Sequence, residues 1–163
     1  MANTQSMCTS FMSELMYGYH QFGQPTLTSR GSLTAPTNDT FKGALYLASA
    51  TINASTTAYS STGEVTGTGY TAGGVTVTNA TPPTYTNASS NAGVAYWTPS
   101  ASLTYTTVTL TTAFDTVLIY NSTQGNRAVS VHTFGSQTIT AGTFTLTMPS
   151  NTTTTALLRL ATT

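Results

Sequence analysis

Threonine alternates with apolar residues in VTVT at 75–78, in TYTTVTLTT at 104–112 and in TFTLT at 143–147. This weave restricts the chain to few folds. A period of two places one residue set on each face of an extended strand. Threonine is β-branched, so its stiff side chain suits a pleated surface, and its hydroxyl satisfies a wet position without a charge. Each such strand has one core face and one neutral, hydroxyl-clad face. Segments of this kind recur from Phe41 onward. We expect strands in FKGALYLAS from Phe41, at 75–78, at 94–97, at 103–110, at 114–122, at 127–135, in QTIT and TFTLTMP on either side of a tight turn at Ala141-Gly142, and in ALLRLAT. Residues 80–93 read as a loop stiffened by Pro82-Pro83, and Gln124-Gly125-Asn126 reads as a hairpin turn. The run FDTVLIYNS is the most apolar and is expected to be a central strand covered on both faces. Turn signals every dozen residues or so, with no β–α–β alternation, imply an all-β domain over 41–163, an antiparallel β-sandwich or jelly-roll-like fold.

The N-terminal forty residues differ. Met7, Cys8, Phe11, Met12, Leu15, Met16 and Tyr19 recur at spacings of three and four, the stripe of a short amphipathic helix over 7–19. Asn3, Thr4 or Ser6 is expected to cap its start and Gly18 or Gly23 its end. Two readings of the stripe stay open at this point. It packs on the chain's own β core, or Met7, Phe11, Met12, Leu15, Met16 and Tyr19 bind a partner, for which flexible thioethers are well suited. Residues 20–40 read as an extended arm with one short strand at 26–29.

Charge excludes several functions. Only 5% of the 163 residues are charged, four basic and four acidic, scattered along a chain of zero net charge. No basic patch can be assembled, so nucleic acid is not an expected partner. No apolar run is long enough to cross a membrane, and the polar N-terminus does not read as a secretion signal. The single Cys8 allows no internal disulfide, which fits folding in a reducing cytoplasm. Asn-x-Ser/Thr triplets at Asn38, Asn53, Asn79, Asn87, Asn121 and Asn151 are expected by chance in a chain this rich in Asn and Thr. A surface with so few charges repels neighbours weakly and suits dense assembly.

Reactive chemistry finds little support. His20 and His132 are the only bases, in an arm and a strand respectively, and no GxSxG elbow is present. The four carboxylates Glu14, Asp39, Glu64 and Asp115 are far apart in sequence, and one Cys with two His falls short of a zinc set. GTGYTAGG at 67–74 lacks the lysine of a phosphate loop and reads as a turn motif. We therefore expect no catalytic residues, no metal and no cofactor. Sugar stacking on Trp97, Tyr85, Tyr96, Tyr105 and Tyr120 is the competing binding role.

Four segments carry a resemblance: FKGALY, TAYSSTGEVTGTGYTAGG, LTTAFDTVLIYNSTQGNRAV and FGSQTITAGTFTLTMP. Together they resemble a widespread group of small structural proteins of tailed bacteriophages, over nearly the whole chain from Phe41. The resemblance implies a virion component assembled in the bacterial cytoplasm. A decoration or cement protein bound to the major capsid protein lattice, as a trimer, is the expected role, and a tail, fibre or head–tail component, touching glycans in one version, is the alternative. It implies no catalytic residue.

Overall fold

The structure is a computed structural model that describes residues 3–22, 37–78, 82–86 and 93–162. Among these residues, eight strands and one helix follow in chain order. They are β1 (Ser6–Met7), α1 (Thr9–Met16), β2 (Phe41–Leu47), β3 (Val75–Thr76), β4 (Thr84–Thr86), β5 (Val94–Trp97), β6 (Leu103–Asn121), β7 (Arg127–Leu146) and β8 (Leu158–Ala161). They form two antiparallel sheets, one in the order β1-β7-β6-β2-β3 and one in the order β4-β5-β8. The molecule is an all-β sandwich. Its strands divide five and three, where a regular jelly roll has two sheets of four.

β6 and β7 dominate, with 19 and 20 residues. Each fuses strands that the sequence suggested were separate. The weave of threonine and apolar residues has no breaker at 111–113, so the strand runs through and the sheet absorbs surplus residues as bulges. One extra β6 residue lies between the pairs Tyr105↔Phe144 and Val108↔Gly142, and Thr107 takes φ 53° there. One extra β7 residue lies between Leu110↔Ile139 and Val108↔Gly142, where Ala141 takes φ 47°. The Ala141-Gly142 signal is thus a bulge and not a chain reversal. Asn126 (φ 60°) and Gly125 (φ 66°) make the real turn, as expected from Gln124-Gly125-Asn126. The loop expected at 80–93 contains β4, which the polar sequence TYT did not reveal.

The stretch from Phe114 to Asn121 is the buried spine. All of its residues except Asp115 are buried, and it pairs with β2 on one side and β7 on the other. Phe22 stacks on Phe41 at 4.4 Å between ring centres, with Trp97 of β5 at 4.7 Å from Phe22. On β2's other edge, Val65 N–H donates to Leu45 O, Leu47 N–H donates to Gly63 O, and β3 pairs with Lys42 and Gly43. The glycines of GTGYTAGG now have a reason. A Cβ on Gly67 would lie 2.0 Å from Thr109 O, and one on Gly69 would lie 2.3 Å from Thr107 O. Only bare backbone fits against these strands.

The helix corrects the sequence reading. It spans eight residues, Thr9–Met16, and not 7–19. Met7 pairs in β1 with Ser130, and Cys8 occupies the N-cap position without a side-chain cap bond, so none of Asn3, Thr4 and Ser6 caps the helix. Asn3 is instead a staple: its Nδ2 donates to Leu47 O and to Asp115 Oδ1, while its Oδ1 accepts from Ile52 N–H. Gly18 ends the helix as expected. At φ 72° it donates to Leu15 O, and Tyr19 N–H donates to Glu14 O, the paired bonds of a Schellman motif. The strand expected at 26–29 lies outside the described residues. Ser10 Oγ is buried without a hydrogen-bond partner. Ser10→Ala should therefore raise stability by about 1–2 kcal/mol, from the removed desolvation penalty and better helix propensity, measured by urea unfolding.

Candidate functional site

The six residues of the N-terminal stripe separate into two sets. Phe11 is buried, as is Cys8, and Met7 and Leu15 are half-buried against the core. The other face is open: Met16 is 89% exposed, Tyr17 74%, Met12 50% and Tyr19 42%. Core packing thus holds for Met7, Phe11 and Leu15, while Met12, Met16 and Tyr19 stay exposed. A helix of period 3.6 turns positions 8, 11 and 15 inward and leaves 12 and 16 outward, and the sequence alone did not mark where the inward arc ended. Tyr17 belongs to the exposed set although it lay off the stripe. Its ring lies 5.8 Å from that of Tyr19. Four large apolar side chains within eight residues make the main exposed apolar cluster among the described residues, with Tyr85 and Leu160 the other large ones.

An apolar cleft of about 90 Å³ adjoins the inward face of α1. Phe11, Leu15 and Phe22 form one wall, and Trp97, Leu158 and Leu160 of the small sheet form the other. Its lining carries no charged residue, so an apolar side chain entering it desolvates no ion.

Beneath the helix lies a buried polar network that sequence inspection did not assemble. Glu14, read as the lone charge on the helix, points inward and accepts from His20 Nε2 at 2.7 Å and from Arg127 Nη1 at 2.7 Å. Arg127 also lies over the Tyr19 ring, 4.4 Å from its centre. Asn121 Nδ2 donates to Asp39 Oδ2 at 2.7 Å and faces His20 Nδ1 at 3.1 Å. An amide nitrogen can only donate, so His20 Nδ1 accepts and the ring proton sits on Nε2, facing Glu14. Asn121 Oδ1 accepts from the N–H groups of Thr123 and Gln124, and Asp39 also accepts from Gln21 N–H and Gln124 Nε2. Burial, the largest cause, holds the His20 imidazole below its usual value, Arg127 adds to this, and Glu14 and Asp39 oppose it. The pieces come from residues up to 113 positions apart, which is why no local motif marks them.

A second polar carboxylate is buried in the TGEVTGTGYTAGG segment. Glu64 accepts from Tyr59 Oη at 2.6 Å, Tyr70 Oη at 2.7 Å and Gly73 N–H at 2.7 Å. Desolvation, together with the hydrogen-bonded Glu64 carboxylate, pushes the Tyr59 and Tyr70 hydroxyls well above their usual values. These tyrosines act as fixed donors. Glu64 is thus the fastening point of the loop.

Other chemistry-bearing groups are placed as follows. His132 lines a 300 Å³ cavity between β7 and β8, its Nε2 2.8 Å from Ser130 Oγ, and burial pushes its imidazole down to about 4. Among the described residues no carboxylate bonds this histidine, so the pair has no group to orient a general base. Burial, and then the Glu14 charge, push the Cys8 thiol up to about 12, which keeps it protonated and unreactive. Among the described residues no three His, Cys, Asp or Glu side chains gather as a metal set, and no helix is long and apolar enough to cross a membrane. Of the five aromatics considered for sugar stacking, Trp97, Tyr105 and Tyr120 are buried, Tyr96 is half-buried and Tyr85 is exposed. A stacking platform built from all five is therefore not present.

Comparison with family models, curated proteins and solved structures finds no match for this chain.

Proposed function

We propose that this chain is a structural component of a tailed-phage virion, a decoration or cement protein that binds the major capsid protein lattice as a homo-oligomer. The observation that carries the docking part is the exposed cluster of Met12, Met16, Tyr17 and Tyr19, four of the six exposed large apolar side chains among the described residues. Apolar side chains so exposed cost solubility unless covered, and two thioethers with two tyrosines make an adaptable contact rich in interface-forming residues. The assignment to a virion rests on the resemblance of the four β segments given above, and the near-absence of charge fits a protein held in a dense assembly. The same surface serves equally in a tail, fibre or head–tail position, and the number of copies per particle separates these from the capsid.

The docking surface is testable without disturbing the core. Met12→Glu/Met16→Glu changes only exposed side chains and should leave the melting temperature within about 3 °C of the parent. Binding to particles lacking the protein should fall by about 100-fold or more, since each buried carboxylate would be unpaired. Undiminished binding would remove α1 from the interface. Point variants are preferable to deleting residues 1–23, because that deletion also removes Cys8, Phe11 and Phe22 from the core.

A further inference from the structure

We propose that the α1 docking face is held in place by a proton-sensitive latch centred on His20, which releases the helix when the imidazole takes a second proton. This regulates the docking surface described above, and to that extent rests on that reading. The latch itself is a property of the free protein.

The argument starts from geometry. The His20 side chain is fully buried and joins two parts of the fold. Its Nε2–H donates to Glu14 of α1, and its Nδ1 accepts from Asn121 at the end of β6. Three aromatic rings, Phe11, Phe22 and Phe41, surround the imidazole at centre distances of 4.8, 6.3 and 6.3 Å. The charged and titratable groups facing it are Glu14 from α1, Asp39 from the segment before β2 and Arg127 from β7. A second proton can enter only at Nδ1, where it would point at the Asn121 amino group, donor against donor. Rotating the Asn121 amide would relieve this only by breaking other bonds. Its Oδ1 is committed to the N–H groups of Thr123 and Gln124, and its Nδ2 to Asp39. The amide is locked, so the site admits the neutral ring.

Glu14 and Asp39 pull the other way, because each favours a cation beside it. Burial among three aromatic rings and the Arg127 guanidinium outweigh them, and the imidazole is held below its usual value. The sign follows. The released ring, in water, binds a proton near pH 6.5, about the ordinary imidazole value, whereas the docked ring binds it only at lower pH. Between those two values the released form carries more protons, so falling pH favours release, and the latch is at full strength above the ordinary value. When His20 swings out, Glu14 loses one of its two partners, and Tyr19, next to His20 in the chain, loses the anchor beside it. The segment from α1 to Phe22 then detaches from the hairpin, carrying Met12, Met16 and Tyr17 with it.

Amide hydrogen exchange on the intact free protein, corrected for intrinsic rates, is the test. Between about pH 7.5 and pH 5, which spans the ordinary imidazole value, protection at 13–19 and at Gln21 should fall at least tenfold, while the β6 and β7 amides keep theirs. The same change should persist in His132→Phe, which removes the only other histidine. The proposal is overturned if protection at 13–19 is unchanged with pH, if β6 and β7 lose protection together with the helix, or if the change disappears in His132→Phe. Because exchange is read without any shell present, failure of the protein to bind particles at either pH would count against the docking reading alone.

Discussion

Gly74→Ala should yield no folded protein. Gly74 sits at φ 73°, and an added Cβ would lie 1.7 Å from Gly43 O and 2.8 Å from Ala44 Cα. The left-handed backbone alone would cost alanine about 1–2 kcal/mol. The contact is far worse, because both atoms belong to the backbone of β2. β2 is bonded to β6 on one side and to β3 and the Glu64 segment on the other, so it has nowhere to retreat. Either the 63–77 segment peels away or β2 loses its pairings, and a domain holds only about 5–15 kcal/mol in total. Expression in the soluble fraction and a cooperative melt should both be lost. Gly125→Ala is the control: its φ of 66° is equally left-handed, but nothing lies within 4 Å of the added carbon. That variant should lose about 1 kcal/mol and remain folded. A Gly74→Ala protein that melts near the parent would mean that the loop does not pack on β2 as described.

The second large effect is expected at Glu64. Its carboxylate is the shared acceptor of two tyrosine hydroxyls and one backbone N–H, all with long-range consequences. Tyr70 Oη in turn accepts from Leu45 N–H, and Tyr59 stacks on Tyr120 at 4.7 Å. Glu64→Ala strands three donors in a region with little water, at about 1–3 kcal/mol each, offset in part by relaxation, so a loss of about 3–5 kcal/mol in urea unfolding is expected. Glu64→Gln keeps one acceptor for Tyr70 and Gly73 and should lose about half as much. If the two variants proved equally mild, the carboxylate would not be the fastening point of the loop.

These two residues also illustrate what the sequence disclosed. Period-two alternation located β3 and parts of β6 and β7, and apolar runs located β2, β5, β8 and the end of β6, since burial imposes both patterns. Alternation could not show that 103–121 is one strand, because two surplus β6 residues between Leu110↔Ile139 and Phe114↔Gln137 break the alternation at 111–113 without ending the strand. The glycines of 67–74 signalled turns, but their purpose, close approach to Gly43, Thr107 and Thr109, depends on strands that are distant in sequence. The exposed residues of the N-terminal stripe were half legible. The three-and-four spacing found the helix, and the inward pull of Cys8 and Phe11 then decided which of its residues remain exposed. Glu14, His20, Asp39, Asn121 and Arg127 gave no joint signal, because each is an ordinary residue until the fold brings it to the others. A lone glutamate on an otherwise apolar stripe was the one available hint, since a charge at an inward position must find partners.

The central claim is that a neutral β-sandwich presents α1 to a viral shell. Quantitative mass spectrometry of particles purified from cells that carry this gene tests it most directly. The account predicts hundreds of copies per particle, in fixed proportion to the major capsid protein. Roughly six to a dozen copies, set by the symmetry of a tail, would move the protein off the capsid, and its absence from the particle would contradict the account altogether.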